Sequence, residues 1–89
     1  MPHTSISYGD AIVEGMDRGV IEKHLAETEE QLAGGQRQIA EQREAIALLE
    51  RSGRPADHAK YLLAGLQLLQ AARRESRNRL LKELAENTP

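Results

Sequence analysis

Nine residues of this chain, Ile21, Leu25, Thr28, Leu32, Gly35, Ile39, Gln42, Ile46 and Leu49, follow one another at steps of 4, 3, 4, 3, 4, 3, 4 and 3. A helix of about 3.6 residues per turn returns such positions to one face, so the alternation predicts a helix whose narrow seam packs against another helix. The same segment divides into four consecutive sevens, LAETEEQ, LAGGQRQ, IAEQREA and IALLERS, each opening on Leu or Ile and then Ala. In that register Leu25, Leu32, Ile39 and Ile46 are uniformly strong, whereas Ile21, Thr28, Gly35, Gln42 and Leu49 are mixed. Polar seam residues, Thr28 and Gln42 here and Arg73 and Ser76 further along, either specify register and oligomeric state or occupy a partly covered edge. Gly34 and Gly35 each cost a helix interior about 1 kcal/mol relative to Ala.

Punctuation sets the bounds of the pattern. Pro2, Gly9 and Gly15 among small polar residues predict a flexible N-terminal arm over 1–16, with one helical turn after Asp10. Asp17 suits an N-cap, since its carboxylate can accept orphan amide N–H groups of a first turn. The first helix is expected over about 17–51. Ser52, Gly53 and Arg54 form the turn, Gly53 supplying a left-handed residue and Pro55 the first position of a second helix that runs to about 86. Asp57 places negative charge in its first turn, where the helix dipole favours it. The expected apolar face of the second helix is Ala59, Leu62, Leu63, Leu66, Leu69, Ala72, Ser76, Leu80 and Leu84, widened by Leu68 and Leu81. Asn87, Thr88 and Pro89 end it. Residues 17–87 are therefore expected to form one all-α antiparallel helical hairpin, coiled-coil-like, in a chain of 89 residues that has room for a single small domain.

A turn of a few residues forces the helices antiparallel, and facing residue numbers then sum to about 107. This register sets Gly34 and Gly35 opposite Ala71 and Ala72, where small residues allow close approach. Residues 10–51 hold ten acids and five bases, a net −5, and residues 52–89 hold four acids and seven bases, a net +3. The halves attract, with Glu22, Glu27, Glu29 and Glu30 expected beside Arg73, Arg74, Arg77, Arg79 and Lys82. A lone hairpin covers one side of each helix, against an ordering cost of about 1 to 2 kcal/mol per residue for the backbone. Self-association into an antiparallel four-helix bundle, a homodimer, is the expected remedy. The seam proposed for it comprises Ile21, Leu25, Leu32, Ile39, Ile46, Leu49, Leu62, Leu66, Leu69, Leu80 and Leu84.

Composition removes many chemistries. There is no Cys, Phe or Trp and only two Tyr, so disulfides, thiol catalysis, cysteine-held metals and aromatic base-stacking platforms are excluded. No secretory leader is visible at Met1 to Ser7, and the Tyr61 to Leu69 apolar cluster is too short to span a bilayer, so a cytoplasmic location with no membrane partner is expected. Gly15 and Gly19 have the spacing of a membrane dimerisation motif but flank Asp17 and Arg18. His3, His24 and His58 are the imidazoles. Glu-x-x-His is absent, because Ile21 precedes His24 by three and Pro55 precedes His58 by three. His24 is expected to be an ordinary surface histidine rather than a metal ligand or phosphorelay site. No phosphate loop, nucleophile elbow or zinc-protease motif occurs, and Gly34-Gly35-Gln36 is not followed by a P-loop Lys. The expectation is a non-enzymatic chain with no cofactor, no metal and no small-molecule substrate.

That leaves an interaction or scaffolding module that presents the outer surface of a helical bundle to a protein partner. The alternative is a nucleic-acid-associated regulator, in which Arg73, Arg74, Arg77, Arg79 and Lys82 contact phosphates. The net charge of −2 and the acids of the first helix weigh against it.

Residues 22 to 86 also carry His24-Leu25-Ala26, Gly35-Gln36, an Ile-x-x-Gln-x-x-x-Ile segment from Ile39 to Ile46, the turn glycine Gly53, and a second Leu-rich helix through Leu62 to Leu69. In these features the chain resembles a group of small bacterial proteins of unknown function, commonest in rhizobia and other alphaproteobacteria. The resemblance implies a helical hairpin and brings no activity with it.

Overall fold

The structure is a computed structural model, and residues 17–87 are described. The N-terminal arm expected over 1–16, with His3, lies outside the described residues, as do Thr88 and Pro89. Two helices, α1 (Arg18–Arg51) and α2 (Asp57–Glu86), run antiparallel and pack along their length. This is the all-α hairpin that the heptad spacing predicts.

Local chemistry accounts for each helix end. Asp17 caps α1: its Oδ1 accepts the Gly19 N–H at 2.9 Å, and its carbonyl accepts those of Val20 and Ile21 at 2.9 and 3.1 Å. Two orphan amides of the first turn, those of Gly19 and Val20, are thereby satisfied, and the Ile21 bond is the first regular one of the helix. At the other end Gly53 takes φ 69°, the one positive φ among the described residues. The Arg54 N–H then reaches Leu49 O at 2.9 Å and the Gly53 N–H reaches Glu50 O at 3.1 Å, the paired bonds of a Schellman ending. Pro55 does not open α2. The half-in residue is Ala56, buried against the hairpin, whose carbonyl accepts the Lys60 N–H at 2.9 Å. The Schellman ending uses Gly53 and Arg54, and two further residues carry the chain back alongside α1.

All nine seam residues of α1 are buried or half-buried, with Ile21 fully covered and Ile46 nearly so. The facing seam of α2 runs through Ala56, Ala59, Leu63, Leu66, Gln70, Arg73, Arg77, Leu80 and Leu84, at steps of 3, 4, 3, 4, 3, 4, 3 and 4, and none of these is exposed. It is rotated by one position from the expected face over its first half. Leu62 and Leu69 stand 45% and 47% exposed, Leu68 stands 73% exposed, and Ala72 is also outside. The structure prefers an unbroken 3/4 alternation over the greatest number of leucines, and Gln70 takes the position that Leu69 was expected to fill.

The reason for one central glycine also differs from expectation. Gly35 faces Gln70 and Arg73, not the small residues Ala71 and Ala72. Gln70, 2% exposed, donates from Nε2 to Leu32 O at 2.8 Å, and its Oε1 accepts from Arg73 Nη1 at 3.3 Å. A Cβ built on Gly35 falls inside contact distance of Gln70 Oε1 and 2.6 Å from Arg73 Nη1. Glycine at this point makes room for a polar side chain. Gln42 makes the converse bond, donating from Nε2 to Ala59 O at 2.9 Å. Each helix thus sends one glutamine across the seam to a backbone carbonyl of the other, and no buried side-chain nitrogen or oxygen among the described residues lacks a partner.

Candidate interaction surface

Packing two helices through one seam leaves two long grooves, and the sequence gives them different chemistry. On one side Gln36, Ala40 and Arg43 of α1 meet Gln67 and Arg74 of α2. This side also holds the interhelical ion pair Glu50 Oε2 to Lys60 Nζ, at 2.9 Å. The Lys60 ammonium is held above its ordinary pKa of 10.5, first by its hydrogen bond to Glu50 and then by the charges of Glu50 and Asp57, against a small opposing desolvation. On the other side Thr28 and Gln31 of α1 meet Leu69, Ala72 and Ser76 of α2. The half-buried Arg73 also lines that stretch and is its one charged residue.

Leu69 and Ala72 of its α2 rim belong to the longest uncharged run of the hairpin, Tyr61 to Ala72, twelve residues without Asp, Glu, Lys, Arg or His. Tyr61, Leu62, Leu68 and Leu69 all stand exposed in it, at 75%, 45%, 73% and 47%, and Leu48 of α1 is 58% exposed. Four large apolar side chains over about 12 Å of helix is a patch rather than the usual scatter of single surface leucines. Gly65 lies in its middle, and a Cβ there would meet nothing within 4 Å. No contact of the hairpin explains that glycine.

The seam residues proposed for self-association divide accordingly. Ile21, Leu25, Leu32, Ile39, Ile46, Leu49, Leu66, Leu80 and Leu84 are buried or half-buried and line the contact between the chain's own helices, whereas Leu62 and Leu69 remain outside. The uncharged run and the lone glycine were the signs in the sequence that could have marked this outer patch.

The basic residues are not brought together as a strip. Heptad position sets Arg73 and Arg77 in the seam, both half-buried, while Arg74 lies on one flank and Arg79 and Lys82, three residues apart, share the outer face. Their polar contacts are neutral: Arg73 with Gln70, Arg77 with Asn78 Oδ1 at 3.2 Å, and Arg79 with Ser76 Oγ at 3.4 Å. Among the described residues none of the five lies within 4.0 Å of a carboxylate, so the expected pairing with Glu22, Glu27, Glu29 and Glu30 is not made by contact. Glu22 instead pairs within α1, its Oε2 3.2 Å from Arg18 Nε. The attraction between the halves acts at longer range and is correspondingly screened by salt.

His24 is exposed, with Nδ1 3.9 Å from Glu27 Oε1 one turn along. Among the described residues no three His, Asp or Glu side chains are grouped to hold a metal ion, and no helix is long and apolar enough to cross a membrane. No family model, no curated protein and no solved structure matches this chain.

Proposed function

We propose that this protein is a non-enzymatic helical interaction module: a hairpin that pairs with a second copy of itself as an antiparallel four-helix bundle and offers its remaining surface to a protein partner. The observation that carries the reading is the uncovered patch of Tyr61, Leu62, Leu68 and Leu69, beside a seam in which Ile21, Ile46 and Ala56 are the only buried apolar residues among those described. Burying a leucine or isoleucine is worth about 1.5 to 3 kcal/mol, so covering the patch would add as much apolar stabilisation as the hairpin's own fully buried residues supply. The charged groove of Arg43, Arg74, Glu50 and Lys60 would then face outward, as a polar surface suited to partner recognition and solubility.

Unfolding by urea at two protein concentrations tests the self-association. A folded dimer gains about 2.7 kcal/mol of apparent stability for a hundredfold rise in concentration. The midpoint should climb between about 1 and 100 μM, and a midpoint that does not move contradicts the reading. The alternative, nucleic-acid association through Arg73, Arg74, Arg77, Arg79 and Lys82, draws support from the lack of carboxylate contacts to these cations. Their spread around the helix speaks against it. A salt-sensitive shift of DNA or RNA at about 50 mM salt, lost when the five are changed to Gln, would move the assignment to that class.

A further inference from the structure

Resting on the self-association proposed above, we infer how the second copy sits: α2 packs antiparallel on α2 of the second copy, with Leu62, Gly65, Leu69 and Ala72 as an interlocking ridge. These four residues follow at steps of 3, 4 and 3, a second seam beside the one that closes the hairpin. They alternate large, small, large, small. A two-fold axis level with Gln67 sets Leu62 opposite Ala72 of the second copy and Gly65 opposite Leu69 of the second copy, so every large residue meets a small one and residue numbers sum to 134 at each layer. Parallel pairing in register would set Leu on Leu and Gly on Gly. The antiparallel arrangement therefore uses the same surface on both copies, as a two-fold interface requires.

Three observations converge on this occupant. Gly65 costs its helix stability and meets nothing within 4 Å in the hairpin, so an approaching side chain gives it a purpose that the single chain does not. The ridge lies wholly within the uncharged run, so two copies meet there without burying a like-charge pair. On α1 the same axis sets Gly34 against Ala45 of the second copy and brings Arg37 alongside Glu41 and Glu44 of the second copy, a complementary charge contact repeated by symmetry. Within the hairpin a Cβ at Gly34 would meet only the end of the Arg37 side chain, whose Nη2 lies 3.8 Å away.

A size exchange tests the layer pairing. Gly65→Leu puts Leu against Leu, and Leu69→Ala leaves Gly65 facing a void, so each alone should weaken dimerisation at least tenfold by sedimentation equilibrium. The double variant Gly65→Leu/Leu69→Ala restores one large and one small residue per layer and should recover dimerisation to within a few-fold of the original. Oxidation of a Leu62→Cys/Ala72→Cys double variant should give a disulfide-linked dimer, which neither single variant gives. A dimeric protein whose size exchange fails to recover, or in which Leu69→Cys alone cross-links efficiently, overturns this docking geometry and leaves self-association standing. An original chain that stays monomeric, together with a Leu62→Cys/Ala72→Cys variant that forms no linked dimer, overturns both.

Discussion

A methyl group added at Gly34 and one added at Gly35 enter opposite surroundings, although the residues are adjacent in one helix. At Gly34 the space is open apart from the end of Arg37, so Gly34→Ala should return about 1 kcal/mol of helix propensity and raise the urea midpoint. At Gly35 the same methyl displaces Gln70, whose lost bonds in a covered position cost about 1 to 3 kcal/mol. Gly35→Ala should therefore be less stable than Gly34→Ala, and up to about 2 kcal/mol less stable than the original chain. In a Gln70→Ala background the penalty disappears and Gly35→Ala should stabilise. Equal effects of the two alanines would mean that Gln70 does not occupy the space over Gly35. The seam position of Gly35 was legible from spacing alone. Its purpose was not, because a side chain as long as Gln70 is placed by three-dimensional packing and leaves no periodic trace of what it fills.

At the scale of the helices, the ends were the most legible part. Asp17 and Gly53 act through chemistry that depends on a few neighbouring residues, and each does in the structure what its type allows. Gly53→Ala must hold a side chain at φ 69° and should cost about 1 to 2 kcal/mol, measured by urea unfolding. The seam of α1 was legible because Leu and Ile recur there at every heptad. That of α2 was obscured by leucines on both its inner and outer sides, and counting leucines led to Leu62 and Leu69 instead of Gln70. The two cross-seam glutamines give up apolar burial for one interhelical hydrogen bond each, a trade that favours specificity over stability. Gln42→Leu/Gln70→Leu should be at least as stable as the original chain and should populate more than one oligomeric state by sedimentation velocity. A single, less stable species would show that the glutamines contribute stability instead. The Glu50 to Lys60 pair makes a prediction in pH. Because the folded pKa of Lys60 is raised, its contribution is complete below 10.5 and is lost as pH climbs through the folded value. The difference in unfolding midpoint between the original chain and Lys60→Gln should thus be constant from about pH 7 to 9 and shrink above 10.5. A difference that fades below pH 9 would contradict it.

As a whole molecule, the hairpin is a thin one. It has two long helices and a short list of buried apolar residues, with more large apolar side chains left exposed, Leu48, Tyr61, Leu62, Leu68 and Leu69 among them, than the two, Ile21 and Ile46, that lie buried. The separation of −5 from +3 between the halves was legible in the sequence, and it favours the pairing of α1 with α2 within the hairpin. The expected acid-base contacts are not made, since Arg73 and Arg77 turn into the seam and Arg79 and Lys82 face outward, away from α1. The lack of a large core follows from a chain with no Phe or Trp, and the uncharged run of α2 marks where further burial can be obtained. These features meet in one claim, that a second copy completes the fold. Sedimentation equilibrium of the original chain across the micromolar range tests it most directly: the account predicts a mass of twice 9.9 kDa that falls toward 9.9 kDa only on dilution, and a fully helical species of 9.9 kDa at every concentration would contradict it.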